Sequence, residues 1–296
     1  MGTRGHASLP GGAALARPLL GRDEIVAQAT EAGVARMVVN GACEEDWPLV
    51  QQLAGKFPQV LPSFGYHPWY LHERTAEWRE RLVEFLDAPP RTTKAVGPAP
   101  SPTGQQAGAL AGLTTGEGAC PTIGEIGLDR WKPGLPYDGQ EEAFVWQLRL
   151  AAERNVAASI HCLQAWGRMH ELLRDTPRPA RGFLLHSYGG PKEMVAPLAK
   201  LGAYFSFPGY FMQQRKARQR EAFAAVPLDR LLIETDAPDQ LLPDSANKFP
   251  LHDTNRRPLH HPANLRAIYE FVARERARPL AEFAAQMEAN FRQLFG

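Results

Sequence analysis

Thr122-Ile-Gly-Glu-Ile-Gly-Leu-Asp129 decides how this chain is read. The stretch reads as a strand, yet Glu125 stands inside it and Asp129 ends it. Outward from it, short apolar runs alternate with amphipathic ones. The strands expected are Ala35–Gly41, Val60–His67, Thr122–Asp129, Ala157–Cys162, Gly182–Ser187, Ala203–Phe207 and Arg230–Asp236. Helices are expected between them, at Arg22–Ala32, Asp46–Lys56, Trp78–Leu86, Tyr137–Arg154, Met169–Leu173, Lys192–Leu201 and Arg218–Ala225, with two more at Ala263–Arg276 and Leu280–Leu294. Continuous apolar strands in strict alternation with helices define an α/β protein with a parallel sheet. Seven strands fall one short of a TIM-type (β/α)8 barrel.

Composition fits that size. The chain has 296 residues, 44% of them hydrophobic and 22% charged, enough to bury a full core. Two tracts stand apart. Residues 1–22 form a Gly/Pro/Ala-rich tail, faintly like an organelle presequence but better read as unstructured or atypical. Residues 97–118, rich in Gly, Pro, Ala, Thr and Gln, read as a low-complexity insertion. Setting both aside leaves about 250 residues, the size of one barrel, so a single domain is expected over 23–296. The formal charge of +1 excludes a polycation that coats nucleic acid, though not an enzyme that grips phosphate locally. Cys43, Cys120 and Cys162 are odd in number and form no CxxC, the pattern of a reduced, cytoplasmic protein. No apolar run is long enough to span a membrane, and no obligate protein partner is evident.

The polar residues in need of explanation lie at the carboxyl ends of the expected strands, where barrels of this class build their sites. These are His67, Glu125, Asp129, His161, His186, Glu234 and Asp236. A carboxylate at the end of a run such as Leu231-Leu-Ile-Glu-Thr-Asp236 is costly unless it is paired, hydrogen-bonded or metal-bound. A single strand-end histidine is usually structural. Imidazoles and carboxylates converging from five strands instead make a site for a divalent hydrolytic metal. Arg215-Lys-Ala-Arg-Gln-Arg220 and Asn255-Arg-Arg257 are candidate phosphate contacts, with Arg215 and Arg256 the residues singled out; a solvated helix face explains the first equally well. Tyr66, Trp69 and Tyr70 flank His67 as base-stacking candidates or as packing. His260 and His261 are further imidazoles near the C-terminal helices.

Six motifs in order carry a resemblance: Gly65-Tyr-His-Pro68, Gly124-Glu-Ile-Gly-Leu-Asp129, Ser159-Ile-His-Cys162, His186-Ser-Tyr-Gly-Gly190, Glu234-Thr-Asp-Ala-Pro238 and Asn290-Phe-Arg-Gln-Leu-Phe295. Over residues 22 to 296 the chain resembles the TatD family of metal-dependent hydrolases. The resemblance implies an amidohydrolase-type (β/α)8 barrel and a deoxyribonuclease or phosphodiesterase that uses two divalent metal ions (Mg, Mn or Zn). It makes Glu125 the metal-bridging carboxylate and His161 and His186 the ligands of the second metal. Asp236 becomes the residue at the first metal and the attacking water, and His67 lies near the substrate phosphate. Glu234 and Asp129 then position ligands.

One departure matters. The family opens with a strand carrying His-x-His, both histidines ligating the first metal, and this chain has no His-x-His; its only early histidine is His6. Either the start of the chain is altered and the first strand has been replaced, or the protein binds one metal or none. The expectation is a hydrolase acting on phosphodiesters of DNA or related nucleotides. The alternatives are an amide or ester hydrolase of small molecules and a weakly active or inactive scaffold.

Overall fold

A computed structural model describes residues 20–88 and 120–296. His6, nearly all of the expected tail and the whole of the 97–118 insertion lie outside those residues. Seven strands, β1 (Met37–Gly41), β2 (Val60–Phe64), β3 (Thr122–Asp129), β4 (Ala158–Leu163), β5 (Phe183–Leu185), β6 (Ala203–Pro208) and β7 (Leu231–Glu234), form one sheet. Each pairs in parallel with the next in sequence. The helices are α1 (Arg22–Glu31), α2 (Trp47–Lys56), α3 (Trp78–Asp87), α4 (Tyr137–Arg154), α5 (Trp166–Asp175), α6 (Val195–Lys200), α7 (Ala217–Ala224), α8 (Leu265–Glu275) and α9 (Leu280–Phe295). All seven expected strands are present. Several are shorter at their carboxyl ends, so His67, His186 and Asp236 stand on the loops just beyond β2, β5 and β7. A small antiparallel hairpin, β8 (Leu251–His252) with β9 (Pro258–Leu259), was not expected from the sequence.

Side chains alternate across a strand, so positions two apart share a face. Val38, Leu61, Ala157, Leu184, Tyr204 and Leu232 form one apolar cluster, drawn from β1, β2, the start of β4, β5, β6 and β7. Two residues on, the same face carries Asn40, Ser63, Ser159, His186, Ser206 and Glu234. The inner face therefore changes from apolar to polar within one pleat, and the polar layer lies toward the carboxyl ends. Phe291, Leu294 and Phe295 of α9 pack into the apolar layer and close that end. The opposite strand faces pack against the helices in the larger core, through residues such as Ile126, Ile160, Phe144 and Met169.

No strand among the described residues pairs with the outer edge of β1 or β7. The two ends approach through side chains instead. Ala29 and Val34, before β1, pack with Ala263, and Met37, Phe249 and Leu265 join them. The architecture is a seven-stranded barrel-like sheet, one strand short of eight.

Asn290 secures α9 by donating to the carbonyls of Leu228 and Leu231, each at 2.8 Å, while Gln286 donates to its Oδ1 at 2.8 Å. Asn290 is 2% exposed, so Asn290→Ala leaves two buried carbonyls unpaired. A loss of about 1–3 kcal/mol in urea unfolding is expected, with the site residues unmoved.

Candidate metal centre

Two glycines make room for Glu125. A Cβ on Gly127, whose φ is +149°, would stand 1.9 Å from the carbonyl oxygen of His161, so only glycine lets β3 run this close to β4 here. A Cβ on Gly124 would stand 2.7 Å from the Ser159 Cβ. The Gly-Glu-Ile-Gly pattern is thus the packing condition for a carboxylate on the inner face.

One oxygen of that carboxylate organises the site. Glu125 Oε1 lies 2.7 Å from His186 Nε2, 3.1 Å from His161 Nδ1 and 3.4 Å from His67 Nε2. One donor atom each from His67, Glu125 and His161 fall within 4.8 Å of one another, and His186 Nε2 is 3.5 Å from His161 Nδ1. The structure therefore brings together His67, Glu125, His161 and His186. His67 stands against the carboxylate itself, nearer the ligand group than a substrate contact would require.

Around this group each imidazole is held by its neighbours. His161 Nε2 is 3.0 Å from Asp129 Oδ2, which also accepts the indole N–H of Trp69 at 2.6 Å. The other oxygen, Oδ1, accepts the backbone N–H groups of Trp131 at 2.7 Å and Lys132 at 3.0 Å. His186 Nδ1 is 3.7 Å from both Glu234 Oε1 and Asp236 Oδ1. Glu234 accepts from the Ser187 N–H at 2.7 Å, the Ser187 hydroxyl at 2.6 Å and the Ser206 hydroxyl at 2.6 Å. Asp236 accepts from the Gln240 amide, which also donates to Ser187 Oγ at 2.7 Å. Asp129 and Glu234 thus occupy the positions of ligand orienters. The sequence reading missed Ser187, Ser206 and Gln240. Ser206 follows the inward-facing Tyr204 by two residues and was legible from that alternation; Gln240 depends on the fold of the loop after β7.

Burial and charge set the protonation pattern. Burial works against the Glu125 carboxylate, but His186, His67 and His161 outweigh it and hold its pKa well below the ordinary value. Burial also opposes charge on His186 and His161. Glu125 outweighs it at His186, and Asp129 with Glu125 at His161, so both pKa values are raised. His67 goes the other way: burial brings it down to about 4, so it is neutral. Burial pushes Asp236 up to about 7, partly offset by His186 and reinforced by Glu234 and Glu125.

Other expected contacts lie apart. Arg215 is exposed and donates to the Tyr210 hydroxyl at 2.9 Å. Arg220 is spent on the carbonyls of Phe211 and Gln213, each at 2.8 Å. Arg256 is exposed near the tip of the β8–β9 hairpin at φ +62°. Tyr66 and Tyr70 are buried and belong to the core. His261 Nδ1 accepts from the Ala263 N–H at 3.0 Å. His260 is buried against the loop after β7, where its backbone N–H donates to the Pro238 carbonyl at 2.8 Å.

A barrel-like parallel sheet with imidazoles and carboxylates gathered at its carboxyl end defines a metal-dependent hydrolase of the amidohydrolase kind. The family model described as TatD related DNase matches residues 16–296, and the chain belongs to that family. It is similar to the 3'-5' ssDNA/RNA exonuclease TatD of Shigella flexneri serotype 5b, 31% identical over 276 residues, covering 93% of each chain. It is 30% identical over 276 residues to the protein of that name from Escherichia coli strain K12, again covering 93% of each. A solved TatD homolog from Escherichia coli K12 superposes with a TM-score of 0.72 at 23% identity, covering 92% of this chain and 91% of that one. A TatD family hydrolase from Entamoeba histolytica gives 0.71 at 16% identity, covering 92% and 88%. The chain is thus a TatD-type metal-dependent hydrolase. No helix among the described residues is long and apolar enough to cross a membrane.

Asp129 links His161, Trp69 and the turn after β3 through a side chain with no exposed surface. Asp129→Ala strips acceptors from four donors, and a loss of at least about 2 kcal/mol is expected in thermal or urea unfolding. Burial works against the Asp129 carboxylate, but His161 and the other donors outweigh it and bring its pKa down to about 2. An unfolded aspartate titrates near about 3.9. The stability Asp129 contributes is therefore fully present above about pH 4 and lost as pH falls toward 2, so the gap between wild type and variant narrows over that window.

Proposed function

We propose that the chain hydrolyses phosphodiester bonds of DNA or a related single-stranded nucleic acid in the cytoplasm, with a divalent ion (Mg, Mn or Zn) held by Glu125, His161 and His186. The observation that carries this reading is the single Glu125 oxygen shared by three imidazole nitrogens. Two imidazoles and a carboxylate match the donor chemistry of such ions, and the buried carboxylate supplies the compensating charge. The names of the curated relatives, single-strand exonucleases, support the substrate class. The likeness of the chain to its relatives extends over 93% of their length.

The bound ion supplies a lowered pKa for the attacking water and positive charge for the phosphate oxygens. Glu125 holds the ion's charge, and Asp129 and Glu234 fix the orientations of His161 and His186. Asp236, pushed up to about 7, is matched to take a proton from water near neutral pH and hand it to the leaving oxygen. Gln240 aims that carboxylate. His67, neutral and at the edge of the group, is placed to donate a hydrogen bond to a phosphate oxygen or to serve as a further ligand. Arg215 and Arg256, being exposed, act on the flanking phosphates of a longer strand.

Because the sequence contains no His-x-His, this reading expects one ion per chain, not two. Elemental analysis and calorimetric titration with Mn should both return a stoichiometry near one. Glu125→Ala should lose metal uptake and hydrolysis by more than about 100-fold while its unfolding transition persists. Retained activity in that variant, or no phosphodiester hydrolysis by wild type with added Mg, Mn or Zn, overturns the reading and leaves the scaffold alternative. The raised pKa values of His186 and His161 mean the ion must displace protons. Binding should therefore weaken as pH falls and release protons, read as a buffer-dependent heat in the same titration.

A further inference from the structure

We propose that Trp131 is a stacking platform for one base of a single-stranded nucleic acid, and that Arg130 and Lys132 beside it grip the adjoining phosphates. The inference rests on the phosphodiesterase reading and names the subsite that reading lacks. Trp131 is 41% exposed, whereas most other large aromatic residues are buried in the core. It lies two residues beyond Asp129, the end of β3, on the side of the sheet where Glu125 and the imidazoles gather.

Its position is fixed to the metal centre by one carboxylate. Asp129 receives the Trp131 and Lys132 backbone N–H groups through Oδ1 and contacts His161 through Oδ2. The turn carrying the indole and the imidazole therefore move together. A cavity of about 380 Å³ opens there, lined by Asp129, Arg130, Lys132, Pro133, Leu135 and Tyr137. That volume lies at the lower end of the about 300–1,000 Å³ of ligand sites, suited to a single nucleotide unit. The cations are already placed against aromatic faces, Arg130 at 3.8 Å from the Tyr137 ring centroid and Lys132 at 4.5 Å from that of Trp69. Between Arg130 and Tyr137 the sequence holds no acid, and Asp129 is engaged by four donors. Aromatic faces interleaved with cations are the composition that binds single strands irrespective of sequence.

The test uses a fluorescent ten-residue oligothymidylate and the full chain, with metal removed by EDTA so that binding is read without cleavage. Trp131→Ala should weaken binding about 5- to 100-fold, and Trp131→Phe should restore most of it. A series of oligonucleotides carrying one abasic unit at successive positions adds a readout that a merely structural role would not move. At one position the abasic unit should weaken binding to wild type and have no further effect on Trp131→Ala. With metal restored, KM should rise and kcat stay within about twofold. Equal affinity of wild type and Trp131→Ala for the intact strand overturns the inference, as does an equal loss for intact and every abasic strand. Wild type that cleaves normally in those cases leaves the phosphodiesterase reading standing. Wild type that neither binds nor cleaves overturns both.

Discussion

The buried carboxylate of Glu125 is the constraint on which the rest of the site depends. A charge placed on the inner face of a parallel strand costs several kcal/mol unless it is compensated, of the order of the net stability of a whole domain. Here His67, His161 and His186 compensate it, contributed by the segments that follow β2 and β5 and by β4. Those imidazoles are themselves buried and need partners, so the demand passes outward to Asp129, Glu234 and Asp236. From there it passes to Trp69, Ser187, Ser206 and Gln240, whose donors close the network. The polar layer of the sheet is thus the chain of compensations that one carboxylate requires.

Most of the fold was legible because parallel strands buried on both faces announce themselves as apolar runs, and amphipathic helices between them leave no other architecture. Lys192–Leu201 shows the limit. Its periodicity reads as one helix, yet the structure begins with a tighter turn at Lys192–Met194 before α6. Pro191 lacks an N–H and disfavours a helical residue before it, which leaves the entry to be made by the shorter repeat. The β8–β9 hairpin escaped because two-residue strands carry no periodicity. Asp253 makes the turn by accepting the N–H groups of Asn255 and Arg257, each at 2.8 Å.

The site was legible in part for a different reason. Glu125, His161 and His186 stand out against apolar neighbours, so burial cost alone marks them. What a sequence does not carry is how far a strand runs before it breaks. His67 was assigned to a strand end, whereas β2 stops at Phe64 and the following turn swings the imidazole onto Glu125. Trp131 was passed over because an exposed aromatic has no signature until the fold shows which side of the sheet it stands on. The tyrosines flanking His67, which do have the composition of a stacking site, are consumed by the core.

Ligand count and sheet edge are linked. The elements that hold the ligand group run from β2 to β5, the middle of the sheet, where every strand has hydrogen-bonded neighbours on both sides. The residues of a second ion would have to come from beyond β1, at the edge that no described strand covers. Asp236, the donor nearest that gap, is held by Gln240 and the charge of His186, and its raised pKa reflects the missing positive charge on its far side. A carboxylate with its pKa near 7 is a poor permanent ligand and a serviceable proton acceptor. Losing two ligands on one edge strand therefore does not dismantle the centre. It converts Asp236 from a residue that would be held ionised by a neighbouring cation into one whose protonation is free to change during the reaction.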